Sequence, residues 1–174
     1  FASNRYDIAF DPEFESYENL DEILFYFPSI NKFITPTEIE YRIPLIPNTL
    51  ANNNGLFIKG KEFAGVKMGI GEINFIPIPG VEITHDVMDI TIDFTKDIEN
   101  PIITNEISFG GYAALNFQPI KDFAPADQYK EILKSIAENY TIQEEYTSLT
   151  TENDGTEFIG KKPFVLKVTF EGKD

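Results

Sequence analysis

Val87-Met88-Asp89-Ile90-Thr91-Ile92-Asp93-Phe94 alternates apolar and polar side chains from Met88 onward, the cleanest secondary-structure signal in the chain. Side chains alternate between two faces along a strand, so Met88, Ile90, Ile92 and Phe94 point one way. Asp89, Thr91 and Asp93 point the other way, toward water. A helix would scatter these residues around its circumference, whereas a strand with one buried face requires this order. The alternation places the stretch in the core, with Ile92 as a cavity-forming position.

Working outward, residues 163–171 carry the second clean signal, with Phe164, Leu166, Val168 and Phe170 alternating with Val165, Lys167 and Thr169. Weaker alternation marks strands over 4–10, 22–27, 38–46, 56–59 and 64–76. In the 64–76 segment the apolar face switches after Gly71, which predicts a β-bulge there. Gly110-Gly111 reads as a two-residue hairpin turn between strands 105–109 and 112–117. Asn153-Asp154-Gly155 reads as a second tight turn, and Asp11 to Asn19 as an irregular acidic connection. One segment has helical spacing: Tyr129, Ile132, Leu133, Ile136 and Tyr140 recur at i, i+3, i+4, i+7 and i+11. The fold class that follows is mainly β, an antiparallel β-sandwich or barrel-like domain of about eight to ten strands. One amphipathic helix sits near residues 125–140. A parallel α/β fold would need a helix between successive strands, and the chain has no room for them. With no linker and no repeat, the chain reads as a single domain over 1–174. Residues 1–10 form a potentially separable N-terminal strand.

The 174 residues are enough to bury a self-sufficient core, and the absence of cysteine excludes disulfides, thiolate metal sites and a cysteine nucleophile. With 29 acidic residues against 14 basic, the net charge of −15 repels phosphate backbones and argues against nucleic acid. No apolar run approaches the roughly 20 residues of a membrane helix, so no transmembrane segment is expected. The chain opens at Phe1 rather than Met, read as processing or trimming. That reading leans toward an extracytoplasmic or cell-surface location.

Candidate chemistry is sparse. His85 is the only histidine, next to Asp86, and no serine stands in a recognisable nucleophile elbow. Glu38 and Glu40, two apart on the expected strand, would lie about 6.7 Å apart, inside the inverting-glycosidase window. Outward charges two apart are also what any solvated strand face shows. Glu82, Asp86, Asp89 and Asp93 form the one acidic group that would suit calcium, although they match no EF-hand spacing. No other cofactor is expected. Leu115 and Phe117, opposite the main apolar face of the expected hairpin, are the contact-face candidates. Tyr6, Ile8 and Phe10 are the strand-exchange candidates.

The strand rhythm and acidic composition resemble extracytoplasmic β-sandwich modules of bacterial surface lipoproteins and fimbrial subunits. The resemblance covers the whole chain and transfers no functional residue. It implies a non-enzymatic structural or adhesive domain acting through protein–protein contacts, with self-assembly into filaments as one form. A glycan- or small-ligand-binding module and a phage virion structural protein are the alternatives.

Overall fold

The computed structural model describes residues 1–13, 19–141 and 145–172. Part of the acidic connection Asp11 to Asn19 therefore lies outside the described residues. Contacts gather the chain into two compact units, Phe1–Val81 and Glu82–Asp174, each described by itself. Among the described residues the fold is mainly β, with eight strands in three antiparallel sheets, two helices and no closed barrel. No described helix is long and apolar enough to cross a membrane.

The first unit holds two antiparallel ribbons. β1 (Phe25–Phe27) pairs with β2 (Lys32–Ile34), and β3 (Asn53–Phe63) pairs with β4 (Val66–Ile76). Ala64 and Gly65 close the long ribbon with positive φ at both positions (50° and 79°). Their twist matches that of the two strands, as in a two-residue hairpin loop. The core consists of Ala2, Phe33, Ile46, Ala51 and Ile76, with Leu24 and Phe57 packed against it.

Three expectations fail in this unit. The register runs unbroken through Ile58↔Gly71, so there is no bulge; the apolar switch instead leaves apolar side chains on both faces of the ribbon. Residues 38–46 are not a strand. The Arg42 guanidinium donates to the carbonyls of Ile39 and Tyr41, the Leu45 amide reaches back to the Arg42 carbonyl at 2.7 Å, and the neighbours Leu45 and Ile46 are both buried. Residues 4–10 also curl. The Asn4 side chain accepts from the Tyr6 amide at 3.0 Å, and the Asn4 carbonyl accepts from the Asp7 and Ile8 amides. A short polar side chain has outcompeted the strand ladder.

The second unit is one four-stranded sheet ordered β5-β6-β8-β7, from β5 (His85–Asp93), β6 (Ile102–Gly110), β7 (Ser148–Glu152) and β8 (Phe164–Glu171). The two helices are α1 (Ile120–Phe123) and α2 (Ala126–Glu138). α2 matches the expected amphipathic segment: Leu133, Ile136, Ala137 and Tyr140 pack on Ile107, Phe109, Phe164, Leu166, Val168 and Phe170. Lys130, Lys134 and Glu138 face water. A single turn of spacing thus matches the paired inner faces of β6 and β8, and burial of that stripe holds the helix.

Two further expectations are corrected here. After Gly110 the chain enters a 3₁₀ turn, Ala113–Asn116, not a second hairpin strand. An added Cβ at Gly110 would lie 2.3 Å from the His85 ring, so glycine serves this close approach and not a hairpin. β5 is an edge strand, and its alternating residues are open: Met88, Ile90 and Ile92 are 48%, 54% and 48% exposed. The opposite face of this sheet is polar, with Thr104 and Thr169 hydroxyls at 3.2 Å and Lys167 to Glu106 at 3.3 Å.

Candidate functional site

The first unit contains a cleft built around its first two residues. Phe1 exchanges both main-chain hydrogen bonds with Leu56, each at 2.9 Å. Ala2 exchanges both with Glu22, at 2.9 and 3.1 Å. These residues therefore sit as a strand between β3 and the segment leading into β1. In antiparallel pairing, successive residues aim their main-chain groups to opposite sides. Phe25 and Phe27 face β2, so Leu24 and Tyr26 aim away from it; Ile58 and Gly60 likewise aim away from β4. Among the described residues no main-chain hydrogen bond joins β1 to β3. The space between them is a cavity of about 400 Å³, lined by Phe1, Ile23, Phe25, Tyr26, Phe57 and Ile58 among others.

The floor of this cleft is aromatic. Tyr26 stacks on Phe33 with centroids 4.7 Å apart, and Phe57 meets both edge-on at 5.4 and 6.0 Å. The rim is apolar and open at Ile23, Phe25 and Ile58. Lys59, at the far end, is held by Glu72 across the ribbon.

The second unit offers a shallower shelf of about 360 Å³ along β5, lined by Met88, Ile90, Ile92, Ile103, Tyr140 and Phe170 among others. Asn105, almost fully buried, lies at its floor and donates to the Tyr140 carbonyl. Its Oδ1 has no partner among the described residues.

The residues singled out from the sequence fall elsewhere. Tyr6 and Ile8 are exposed in the curled segment, and the Phe10 amide donates to Asn53 Oδ1 at 3.1 Å, so the three form no strand. Leu115 and Phe117 share no strand face; Phe117 stacks on Phe109 at 4.3 Å and on Phe164 at 5.5 Å. Glu82 lies on a 3₁₀ turn and the three aspartates on β5, with Asp86 on the face opposite Asp89 and Asp93. Among the described residues no such carboxylates gather as a metal-binding group. The Asp93 carboxylate instead caps the Thr95 amide at 2.8 Å, and hydrogen bonds from the Thr95 side chain and then from that amide hold its pKa below the ordinary value.

His85 Nε2 does meet a serine, Ser108 Oγ, at 3.1 Å, because the two are diagonal neighbours on β5 and β6. Asp86, next along the strand, points to the other face, so it cannot orient that imidazole. Glu38 and Glu40 come closer than a strand would hold them. The hydrogen bond between their carboxyls, then burial and the like charges of Glu40 and Glu22, raise the pKa of Glu38. Carboxyls in hydrogen-bond contact leave no room for the water of an inverting pair.

The best-connected polar group lies in a segment whose sequence signals only a turn. Asp154 accepts from Lys121 at 2.9 Å, Tyr129 at 2.7 Å and Thr151 at 3.1 Å. Burial and the hydrogen bond to Asp154 push the Tyr129 phenol up to about 12. With all its neighbours satisfied, this group fastens the loop after β7 to α1 and α2. The cleft leaves almost no mark in the sequence, since Phe1, Ile23 and Ile58 belong to no motif. Its one signal was the apolar content on both faces of 22–27, a segment that needs a neighbour on each side. Compared with known protein families, characterised proteins and solved structures, the chain matches none.

Proposed function

We propose that the chain is a non-enzymatic structural or adhesive module that works through protein–protein contacts, taking an extended strand of a partner protein between β1 and β3. The observation that carries this reading is the pair of main-chain edges at Leu24–Tyr26 and Ile58–Gly60, which face one apolar cavity in the register already set by Phe1 and Ala2. Strand addition draws affinity from such edges and specificity from alternate side chains. The occupant would run antiparallel to both walls. Its inward residues would meet Leu24 with Phe57 and then Tyr26 with Lys59, and its outward residues Phe25 with Ile58. Apolar side chains on both faces therefore suit it.

The test is the blocked peptide acetyl-Thr-Lys-Val-Thr-Val-Thr-Val-amide, added in trans up to millimolar concentration and also fused directly ahead of Phe1. Hydrogen exchange at the Leu24, Tyr26 and Ile58 amides should slow at least tenfold in both formats, and the melting temperature should rise with peptide concentration. Unchanged exchange in both formats rejects the reading. A second reading, a small-ligand module, is favoured by the partnerless Asn105 Oδ1 at the floor of the β5 shelf. It calls for an apolar ligand carrying one hydrogen-bond donor. Its mark would be a monomer stabilised by such a probe, with that stabilisation lost in Asn105→Ala.

A further inference from the structure

We infer that β5 is a self-pairing edge, by which two copies of this chain join antiparallel about a two-fold axis centred on Ile90. The inference rests on the reading of the chain as a protein-contact module, but it uses the other unit and a different edge. β5 is the outer strand of its sheet, nine residues long, with Val87, Met88, Ile90 and Ile92 all about half exposed. Natural sheets usually blunt such an edge by shortness, proline, a bulge, charged side chains or a covering segment. Here the face of β5 nearest α2 has a single carboxylate, Asp86, at its beginning.

The main chain of β5 is phased for this pairing. Gly172 donates to Pro101 at 2.8 Å, in the register that pairs Ile102 with Glu171, so odd-numbered residues of β6 bond to β8 and even-numbered ones to β5. Their partners on β5 are the odd-numbered residues, which leaves Asp86, Met88, Ile90 and Ile92 aiming their main-chain groups outward. A two-fold axis at Ile90 then makes Ile90 pair with itself and Met88 with Ile92 of the second copy.

Charge selects this centre over its neighbours. About Ile90, Asp89 faces Thr91 and Asp93 faces Val87, so no aspartate lies directly opposite another. A centre at Asp89 would set that carboxylate against its own copy and place Asp86 against Ile92. A centre at Thr91 would set Asp89 against Asp93 twice, and like charges directly opposite are destabilising. A centre at Ile92 pairs only three residues within the strand; a centre at Met88 pairs seven, 85–91, but it sets the Asp86 carboxylate against Ile90 and leaves Ile92 outside the paired stretch. The Ile90 centre keeps seven, 87–93. Pairing about it would produce one continuous eight-stranded sheet, with the Met88, Ile90 and Ile92 side chains of both copies forming a shared apolar patch on the α2 face. Two chains of net charge −15 repel, so association should strengthen with salt.

The experiment is sedimentation equilibrium of the whole chain from micromolar to millimolar concentration, at about 0.15 M and 1 M salt. The wild-type chain should dimerise, more tightly at high salt. Thr91→Lys, which faces Asp89 of the second copy, should tighten the dimer about tenfold relative to Ser148→Lys, the same charge change on the far edge β7. Thr91→Asp should loosen it about tenfold, and Ile90→Lys should abolish it. Thr91 and Ser148 are exposed, so the unchanged circular dichroism of each variant confirms that the fold is intact. A chain that stays monomeric at both salts, or a Thr91→Lys dimer no tighter than Ser148→Lys, overturns the inference. A dimer with these signs and an inert β1–β3 cleft would keep this inference and reject the proposed strand-accepting function.

Discussion

β5 and β8 carry the same sequence signal and meet opposite fates. Phe164, Leu166, Val168 and Phe170 are buried to 0%, 0%, 0% and 2% exposure, while Met88, Ile90 and Ile92 remain about half exposed. Both strands alternate cleanly, and both inner faces point to the side of the sheet on which α2 packs. What separates them is position. β8 has β6 and β7 on either side and the helix above, whereas β5 has β6 alone and lies beyond the reach of the helix. Alternation reports that a segment is extended with two unlike faces; how much covers the apolar face is decided by the neighbours that the rest of the chain supplies.

Substitutions on the two strands should separate these fates. The largest effect is expected at Leu166, where truncation to Ala leaves a cavity under α2 and should cost about 2–5 kcal/mol in urea denaturation. An intermediate effect is expected at Asp154, which ties the β7–β8 end to the helices. Asp154→Ala leaves Tyr129 and Lys121 without their acceptor and should cost about 1–3 kcal/mol. Burial works against the Asp154 charge, but its hydrogen bonds to Lys121, Tyr129 and Thr151 outweigh that, and its pKa lies below the ordinary 3.8. A depressed carboxyl stabilises the fold above its unfolded value and loses that contribution as pH falls through the folded one. The gap between wild type and Asp154→Ala should therefore narrow below about pH 4, read from melting temperatures across an acid series. The smallest effect is expected at Ile92, where Ala should cost about 1 kcal/mol or less, because its side chain is already half in water. An Ile92→Ala penalty equal to that of Leu166→Ala would show that β5 is covered as β8 is, and the contrast would collapse.

Other segments show the same division. The helix was legible because apolar residues recur at helical spacing: four of the five fall on α2, Ala126–Glu138, and Tyr140 lies just past its end. Residues 38–46 alternate as cleanly as a strand, yet the long Arg42 side chain reaches two local carbonyls and folds the segment back on itself. Asn4 does the same to residues 4–8 with a shorter side chain. Local hydrogen-bond competition of this kind leaves no trace in hydrophobic periodicity, which counts side-chain faces and not main-chain partners. The unmatched carboxylates behave likewise: Asp89 and Asp93 share a face as expected, but nothing in their spacing could say that Asp93 would cap its own turn.

The sequence alone determined that this chain is mainly β and antiparallel, where its helix lies, and which strands have an apolar and a polar face. These follow from short-range rules, the two-residue period of a strand and the 3.6-residue period of a helix. The tertiary structure decided which strands became edges, that Phe1 and Ala2 lie between Leu56 and Glu22, and that Leu24, Tyr26, Ile58 and Gly60 face one cleft. Those properties depend on pairing between residues tens of positions apart. Register and edge order are set by the packing of the whole unit, and no local window of sequence contains them.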